Sequence, residues 1–445
     1  MPPLTFDPIR RCGTGTGPNK TGTPFKEHTF MSEQNEQTRR NFLATGAKLA
    51  AAAGLVSTGG CSMADRGPIL TAVAGPKPHK IDPNQKIRLG IIGPGNRIFW
   101  VMKQMFEVDK NITIKAIAEP VQANVDRALA EIKKQLGDTP DVYTGRQDYK
   151  TKLLARDDID AVLVGTPCYL HAPMYLDCFA AGKHFYGEKP MAITVNETKA
   201  MVEAQRKNPD VIGQIGFQRR GTQMYPKGIE MVRSGVLGKL LDCRAAWNLR
   251  GPIGLPNDGH RSWFGRRQYS GDWMLEQACH TWDVLNWVAG KLPVAATGVG
   301  YGNLFPELDP DRNVTDLYFA HLEYPDFFVD YEHSWLCPWH DAYPQVAEGR
   351  FSGIFEKVCG KDGGISLNEG KIFYRDRDKK PEQFTKHETE PGWTQDSIGS
   401  FLQTLRGKKE LVSGVTNGRM ATLVGLMVRK AVYERRRVTM KEIIG

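Results

Sequence analysis

The sequence predicts an α/β protein of two domains, a doubly wound parallel sheet followed by an α+β domain with an open, mostly antiparallel sheet. Three observations predict it. A short apolar strand at residues 86–92 runs directly into the turn Gly93-Pro94-Gly95. Apolar strands and helices then alternate to about residue 190, as in parallel sheets. Beyond residue 211 the strands alternate in polarity, as in an antiparallel sheet with one solvated face.

Composition narrows the class of protein. The chain has 445 residues, which favours two domains, and is 40% hydrophobic and 24% charged, as in globular proteins. No apolar run reaches the roughly 18 residues of a membrane span. The net charge is +9, of which residues 1–66 supply +3, a modest balance for a nucleic-acid binder. The eight cysteines form no CxxC pair, so we expect no metal site.

The N-terminal region carries a pattern typical of export signals. Residues 38–43, Thr-Arg-Arg-Asn-Phe-Leu, form a twin-arginine motif, and the Ala-rich stretch 44–56 has the length of a signal h-region. The pattern predicts export by the twin-arginine route and a periplasmic location. Because residues 1–30 would bury the signal inside the chain, we expect translation to start at Met31.

Three processing sites remain open. Thr58-Gly59-Gly60-Cys61 resembles a lipobox and favours lipidation of Cys61, whereas cleavage after Ala64 or after Ala74 would release a soluble protein. Four prolines between residues 64 and 84 are typical of a linker. The predicted organisation is therefore an extension with signal at 1–66, a linker at 67–85, a first domain at 86–210 and a second at 211–445.

The turn after the first strand has the chemistry of a phosphate loop. Gly93 permits a tight turn, Gly95 lets the backbone approach a pyrophosphate, and the helix that begins near Asn96 and Arg97 directs N–H groups at it. Ile98 occupies the place of the usual third glycine, whose role is helix–strand packing. The turn therefore predicts a dinucleotide-binding Rossmann fold in which the missing third glycine affects helix–strand packing more than phosphate contact.

An acidic residue at the end of the second predicted strand, 112–118, indicates which dinucleotide binds. Glu119 lies 24 residues past Gly95, close to the spacing of the acid that accepts the adenosine ribose hydroxyls. It would repel a 2′-phosphate, which favours NAD over NADP. The alternative is a solvated charge at a strand end. The remaining predicted elements are helices at 100–107, 121–136 and 171–181 and strands at 161–164 and 184–186.

Further motifs follow in a fixed order. They are Gly165-Thr166-Pro167 with His171, then Gly187-Glu188-Lys189-Pro190, then residues 215–220 and 232–238, and finally Gln277-Ala278-Cys279-His280-Thr281-Trp282-Asp283. Together with the dinucleotide loop, this series resembles the Gfo/Idh/MocA family of oxidoreductases, from about Lys86 to the C-terminus. The resemblance implies hydride transfer between a sugar or polyol carbon and a tightly held nicotinamide cofactor.

The resemblance also implies roles for individual residues. Lys189 would contact the substrate hydroxyl and the nicotinamide ribose, and His280 would be the general acid/base. Thr166, Pro167, His171 and Glu188 would lie against the cofactor, with Gly93, Gly95, Asn96, Arg97 and Glu119. The family commonly has Asp four residues before the histidine, where this chain has Glu276. The i, i+4 spacing puts Glu276 and His280 on one helical face, where the carboxylate could bind substrate or make the histidine more basic.

Candidate substrate contacts lie in the second domain: Arg219, Trp263, Arg266 and Asp283. The loop at 250–271 is rich in arginine and aromatic residues, which suits a carbohydrate or an acid sugar, although a packed structural loop is the alternative. Strands are predicted at 241–249, 294–299, 317–324 and 327–335. The apolar helix at 420–432 is expected to pack back on the first domain. In the family, the second sheet often carries a dimer contact, so we expect a homo-oligomer.

Three functions remain open. The first is an exported NAD-dependent dehydrogenase of sugars, for which the cofactor must be held tightly because no plentiful NAD pool exists outside the cytoplasm. The second is an NAD-dependent glycoside hydrolase or lyase that oxidises its sugar transiently, with no net redox change. The third is a sugar-binding lipoprotein without turnover. In each case the partner is a small-molecule sugar, with no nucleic acid and with membrane contact only through a lipid anchor.

Overall fold

A computed structural model describes residues 67–251, 253–256, 259–337, 352–386 and 388–445. The twin-arginine motif, the expected start at Met31 and the lipidation candidate Cys61 lie outside the described residues. Within those residues, no helix has both the length and the apolar character that crossing a membrane requires.

The first sheet is the predicted doubly wound parallel sheet. Its strands β1 to β6 span Ile87–Ile92, Ile112–Ala118, Asp141–Tyr143, Ala161–Val164, His184–Gly187 and Gly213–Ile215. They lie in the order β3-β2-β1-β4-β5-β6, all parallel. Helices α1 to α4 span Asn96–Val108, Gln122–Leu136, His171–Ala180 and Val195–Lys207. The sheet extends past residue 210, because β6 pairs with β5.

Both faces of this sheet are covered, as parallel sheets require. Alternate residues of β1, such as Leu89 and Ile91, pack with α1 and α2 in one core. Val162 and Val164 of β4 belong to the core on the other side, with α3 and α4. The short β-branched runs of the sequence are strands because side chains on both faces find apolar partners.

Within the part of the chain that the structure describes, the second sheet has nine strands and is mostly antiparallel, as predicted. Strands β7 to β15 span Leu240–Asn248, Ala295–Gly302, Thr315–Glu323, Phe328–Ser334, Gly353–Gly360, Gly363–Ser366, Lys371–Tyr374, Glu382–Gln383 and Val438–Thr439. Their order is β14-β13-β12-β11-β7-β10-β9-β8-β15, and the central pair β7–β10 is parallel. Along β10, Val329 and Tyr331 are buried and Phe328 and Asp330 are exposed, which confirms the predicted alternation.

Helices of the second half pack against both sheets. Helices α5 to α11 span Met224–Arg233, Arg267–Ser270, Trp273–Glu276, Cys279–Ala289, Gly392–Leu405, Val415–Glu434 and Met440–Ile444. Phe401 of α9 lies in the core beneath the first sheet. In α10, a Cβ on Gly418 would lie 2.6 Å from Met191 Sδ, and Val432 packs against Gly298 of β8. Helix α10 therefore contacts both domains.

The segment predicted as a linker is docked on the first domain. Residues Gly67–Pro78, here called the strap, have no helix or strand, yet Ala72 is 6% exposed and lies in the core with α3 and α4. Asn208, just after α4, binds strap backbone at Val73 and Gly75. Proline predicted an irregular backbone correctly, but it did not predict whether that backbone is solvated or packed.

Candidate functional site

The turn after β1 has the geometry that a dinucleotide pyrophosphate needs. Gly93 has φ +71°, and a Cβ there would lie 2.8 Å from Thr166 Cγ2, so only glycine fits. A Cβ on Gly95 would meet nothing within 4 Å, which leaves open space against the backbone where α1 begins. This space beside the first amides of α1 fits the phosphates of a dinucleotide.

The missing third glycine is compensated on the neighbouring strand. Ile98 is fully buried, and a Cβ on Gly165 would lie only 2.0 Å from Ile98 Cγ1. Gly165 follows β4 and supplies the space that the third glycine of the usual dinucleotide motif would supply at position 98. Helix α1 therefore still packs closely at the end of β4. The large residue, Ile98, lies on the helix, and the glycine lies after the strand.

Arg127 of α2 binds the loop after β1, a contact that the sequence did not predict. Its guanidinium donates to Asn96 Oδ1 at 3.0 Å and to the carbonyl of Pro94 at 3.3 Å, and it lies 4.3 Å above the ring of Phe99. The side chain of Asn96 is thus held by Arg127. Arg127 lies 31 residues further along the chain, in a helix with no motif, so nothing local marked it.

Glu119 lies where the ribose-binding acid was predicted. It follows β2 at the carboxyl end of the sheet, and its Oε1 accepts from the backbone amide of Val121 at 2.8 Å. The interpretation as a solvated charge is wrong, because Glu119 is 6% exposed. The Val121 amide orients the carboxylate at the edge where dinucleotides bind in this kind of sheet.

Lys189 is joined to the second domain by Glu276. Lys189 Nζ donates to Glu276 Oε1 at 2.8 Å and to the Glu276 backbone carbonyl at 2.5 Å, and both side chains are largely buried. Burial is the largest single effect and lowers the pKa of Lys189, but the Glu276 carboxylate and other acidic groups nearby together raise that pKa above its ordinary value. The lysine is therefore a fixed cation at the junction of the two domains.

Arg97 forms an ion pair with Glu188. Its Nε donates to Glu188 Oε1 at 2.8 Å, and its other nitrogens donate to Gln218 Oε1 at 3.0 Å and Thr394 Oγ1 at 3.3 Å. Burial opposes the charged form of Arg97, but Glu188 raises its pKa overall. Arg97 and Glu188, both predicted cofactor contacts, thus connect the dinucleotide loop to the residues around Lys189.

The segment after β4 contains three predicted cofactor contacts, Thr166, Pro167 and His171. The buried ring of His171 contacts the carbonyl of Thr166 through Nε2 at 2.7 Å and that of Pro190 through Nδ1 at 2.8 Å. Pro167 precedes a single 3₁₀ turn at Cys168–Leu170. Since both ring nitrogens of His171 face backbone carbonyls, His171 fixes the loops that carry Thr166 and Lys189 in relation to each other.

His280 is held by aromatic rings. The Trp247 ring stacks on it with centroids 5.7 Å apart and planes 13° apart, and the edge of Phe217 lies 6.0 Å away. Among the described residues, the His280 ring has no hydrogen-bond partner. Burial, and then the cations of Lys189, Arg219 and Arg97, lowers the pKa of His280 well below its ordinary value. The imidazole is therefore neutral and within electrostatic range of Lys189.

The predicted common helical face of Glu276 and His280 is wrong. Helix α7 ends at Glu276 and α8 begins at Cys279, with a turn between them, so the two residues do not share one continuous helical face. The carboxylate of Glu276 binds Lys189, whereas the pKa of His280 is lowered by burial and then by the cations of Lys189, Arg219 and Arg97. Glu276 therefore supports the lysine and does not make the histidine more basic.

The charged substrate candidates all have protein partners. Arg219 pairs with the fully buried carboxylate of Glu356. Asp283 accepts two hydrogen bonds from Arg220, at 2.7 and 2.9 Å. Arg266 donates two to Asp309, at 2.6 and 2.9 Å, and Trp263 packs on Phe264 with ring centroids 4.1 Å apart. For Trp263 and Arg266 this favours the alternative of a packed structural loop.

Glu356 and Trp247 are the second-domain residues that the sequence did not reveal. Glu356 also accepts from Tyr225 Oη at 3.0 Å and Thr281 Oγ1 at 3.1 Å, so it organises the residues around the histidine helix. It lies 137 positions from Arg219, on a strand with no motif. No local pattern links a central strand residue to such a partner.

Comparison with known families gives two matches. The family model described as an oxidoreductase family with an NAD-binding Rossmann fold, GFO_IDH_MocA, matches residues 87–216. The model of the GFO/IDH/MocA C-terminal domain matches residues 227–365. The two segments follow each other and together contain Gly93, Lys189, Glu276 and His280.

Curated relatives carry glycosidase names. A glycosyl hydrolase family 109 protein of Shewanella baltica is 37% identical over 218 residues, 47% of this chain and 45% of that protein. An alpha-N-acetylgalactosaminidase of Shewanella oneidensis is 38% identical over 164 residues, 36% of this chain and 35% of that protein. The chain thus matches less than half the length of these relatives.

Solved structures share the fold. An aldose-aldose oxidoreductase of Caulobacter crescentus has a TM-score of 0.63 at 20% identity, covering 80% of this chain and 100% of its own. A Thermotoga maritima oxidoreductase has a TM-score of 0.64 at 18% identity, covering 81% and 100%. At these identities, the likeness concerns the fold of both domains.

Proposed function

Because the chain belongs to the Gfo/Idh/MocA oxidoreductase family, whose members use NAD(P), we propose that it transfers a hydride between a sugar or polyol carbon and a tightly bound NAD. One observation carries the proposal: at the junction of the two domains, the ammonium group of Lys189 binds Glu276, four residues before the buried His280, whose pKa is lowered. Oxidation of an alcohol needs a base for the hydroxyl proton and a cation for the alkoxide.

His280 has the properties of the base. A general base must be unprotonated before it acts, and the lowered pKa keeps the imidazole neutral at physiological pH. Its ring has no hydrogen-bond partner among the described residues, so a nitrogen is available to the substrate hydroxyl. The rings of Trp247 and Phe217 fix the orientation of the His280 imidazole, a role that a hydrogen-bonded carboxylate could otherwise have.

Lys189 stabilises the developing alkoxide. An ammonium group has three N–H donors, and Glu276 accepts two of them. The third is available to the substrate oxygen, where it lowers the energy of negative charge as the proton leaves. The bound NAD supplies the hydride acceptor.

The charge balance favours an uncharged sugar over an acid sugar. Arg219, Arg220 and Arg266 would be the natural partners of a substrate carboxylate, yet each is paired with a carboxylate of the protein. Recruiting one of them would leave a buried acid without its partner, which is costly. We therefore take hydroxyl and amide groups to be the groups that the site recognises.

A second candidate is favoured by the curated relatives. Proteins named glycosyl hydrolase family 109 and alpha-N-acetylgalactosaminidase match 36–47% of this chain, at 37–38% identity. A glycoside can be hydrolysed when a sugar hydroxyl is oxidised to a carbonyl, the leaving group departs by elimination, water adds across the resulting double bond, and the carbonyl is reduced again; without the water, the same route is that of a lyase. This route needs the same base and cation, and it returns the hydride, which suits an exported enzyme without a supply of free NAD.

One experiment separates these functions. Purified protein loaded with NAD is mixed with a panel of free sugars and nitrophenyl glycosides, and NADH absorbance and nitrophenol release are followed together. A dehydrogenase accumulates NADH stoichiometrically with a free sugar, whereas the redox-neutral enzyme releases nitrophenol over many turnovers without accumulating NADH. Sugar binding without either signal would support the non-catalytic lipoprotein and overturn both enzymatic proposals.

The location of the protein is proposed from its N-terminal motif alone. We propose export to the periplasm by the twin-arginine route, with lipidation of Cys61 as the anchor. Replacing Arg39 and Arg40 together by lysine should leave the precursor unprocessed in the cytoplasm. Normal processing of that variant in cell fractions would contradict the proposal.

The outer face of the second sheet supports a homo-oligomer. Val299, Tyr301, Phe319 and Phe328 are about half exposed on adjacent strands, around a groove of about 750 Å³ that Val299 and Phe319 line. Contiguous apolar residues of this kind mark interaction surfaces. We propose that a second copy of the chain covers this face.

A further inference from the structure

We propose that the exported chain is cleaved upstream of Gly67, so that the strap, residues Gly67–Pro78, remains in the mature protein as part of the first domain. The proposal is independent of the catalytic function and rests only on the export proposed above. It decides between processing sites that the sequence left open, because cleavage after Ala74 would cut the strap in the middle.

The strap is held by side chains of the first domain that bind its backbone. Asn208 Nδ2 donates to the carbonyl of Val73 at 2.9 Å, and Asn208 Oδ1 accepts from the amide of Gly75 at 2.7 Å. Lys207 Nζ donates to the carbonyl of Ala72 at 2.9 Å. Asn208 is buried, so these bonds are not exchanged freely with water. Together they fix residues 72–75 on the end of α4.

The strap is also packed closely at its two ends. Asn196 Nδ2 donates to the carbonyl of Gly67 at 2.8 Å. A Cβ on Gly75 would lie 2.3 Å from the carbonyl oxygen of Phe179, and one on Gly182 would lie 2.3 Å from that of Pro76. Glycine on both sides of the contact lets the two backbones touch, which a solvated linker would not require.

This packing conflicts with cleavage after Ala74. A signal peptidase hydrolyses one peptide bond with one water, leaving a carboxylate on the leader and an amino group on the mature chain. Its substrate must be accessible at the small residues before the bond. Ala72, two residues before Ala74, is instead buried in the core of the first domain. Proteins exported by the twin-arginine route are folded when they reach the peptidase.

Cleavage after Ala74 would also discard a folded part of the domain. It would remove residues 67–74, and with them the buried methyl group of Ala72 and the carbonyl partners of Lys207 and Asn208. Asn208 would then be left buried with fewer partners, which costs stability. Cleavage before Cys61 or after Ala64 leaves every strap contact intact.

The N-terminus of the mature protein tests the proposal. The full chain is expressed in a bacterium with a twin-arginine system, and the mature form is identified by intact mass and N-terminal peptides. We expect a start at or before Gly67, whether as an acylated Cys61 or as Asp65. Ala74→Asp, at an exposed position, should be processed identically to wild type. A start at Gly75, or a block of processing by Ala74→Asp, would overturn the proposal.

A matched pair of variants tests the docking itself. Ala72→Asp places a charge in the core, whereas Val73→Asp places it at a position that is 47% exposed. In the mature protein, Ala72→Asp should release the strap and speed trypsin cleavage after Lys80 by about tenfold or more, as expected for loss of a local folded unit. Val73→Asp should match wild type. Equal cleavage of both variants would show that the strap is not docked.

Discussion

Lys189 Nζ binds the carboxylate of Glu276 at 2.8 Å and its backbone carbonyl at 2.5 Å, so one cation holds the end of α7 against the first domain. The two groups are 87 residues apart in the chain and belong to different domains. An aspartate at position 276, as is common in the family, is shorter by one methylene. In this chain the longer side chain binds Lys189, which leaves His280 to be held by Trp247.

Glu276→Gln should destabilise the protein. The amide keeps an acceptor for Lys189 but removes the charge, and a largely buried ammonium without its counter-ion costs about 1–3 kcal/mol. Because Glu276 raises the pKa of Lys189, the stabilisation is fully present below the ordinary lysine pKa of about 10.4 and is lost as pH rises through the raised value. Urea unfolding of wild type and variant should therefore differ by a constant amount near neutral pH and converge at strongly alkaline pH.

Glu203→Gln is the control for that experiment. Glu203 pairs with Arg206 on the exposed face of α4, where water screens the interaction, so no measurable change in stability is expected. A Glu276→Gln protein as stable as wild type near neutral pH would show that the ion pair between the domains is not formed in solution.

Glu119 should select NAD over NADP. A carboxylate beside a 2′-phosphate adds repulsion on the order of 1 kcal/mol or more, which is about fivefold in Kd. Glu119→Gln keeps an acceptor for the amide of Val121 and removes the charge, so the preference should narrow. Fluorescence titration with both dinucleotides measures it, with Asp126→Asn on the exposed side of α2 as the control. Tighter binding of NADP by wild type would contradict the assignment.

The first domain could be predicted closely because its pattern is local. The predicted strands 112–118 and 161–164 match β2 and β4 at both ends, since each is an uninterrupted apolar run between turns. The glycines of the loop after β1 were found for the same reason, because their spacing along the chain reflects their geometry. The proposed catalytic residues Lys189, Glu276 and His280 were found through an ordered set of short motifs.

The partners of these residues could not be predicted, because contacts distant in sequence leave no periodic pattern. Arg219 was predicted as a substrate contact, and its pairing with Glu356 could not be foreseen because the two residues are 137 positions apart. The break between α7 and α8 could not be predicted because Glu276 and His280 are four positions apart in the sequence, which is the spacing of a continuous helix. The strap was predicted as part of a linker because proline content indicates backbone conformation and not packing.

The outer face of the second sheet should control assembly. Val299 and Phe319 lie opposite each other on β8 and β9 and are about half exposed. Replacing both by Asp places two like charges in any interface that covers them, so the wild-type oligomer should dissociate to monomers in sedimentation velocity experiments. Val142→Asp, at an exposed position of the first sheet, is the control. A wild-type monomer, or a double variant with unchanged mass, would contradict the proposed dimer face.

His280 should carry the proton transfer. His280→Ala should lower kcat by roughly 10²–10⁴, the usual worth of a positioned general base, while dinucleotide Kd stays near wild type. His321→Ala, on the outer face of the second sheet, is the matched control and should retain full kcat. A His280→Ala enzyme with near-native turnover would remove the histidine from the mechanism.

The pH dependence of kcat provides a second and independent test of His280, through the ring that stacks on it. Because the neutral form is active and its pKa is lowered, kcat should stay flat through about pH 6.5, where an ordinary histidine is half protonated. Trp247→Ala opens the site to water and relieves the burial that lowers this pKa, so the acid limb of the profile should move to higher pH. Trp247→Phe keeps an aromatic face and should leave the limb in place. A wild-type inflection near pH 6.5, or identical profiles for Trp247→Ala and wild type, would show that the environment seen here does not hold His280 neutral.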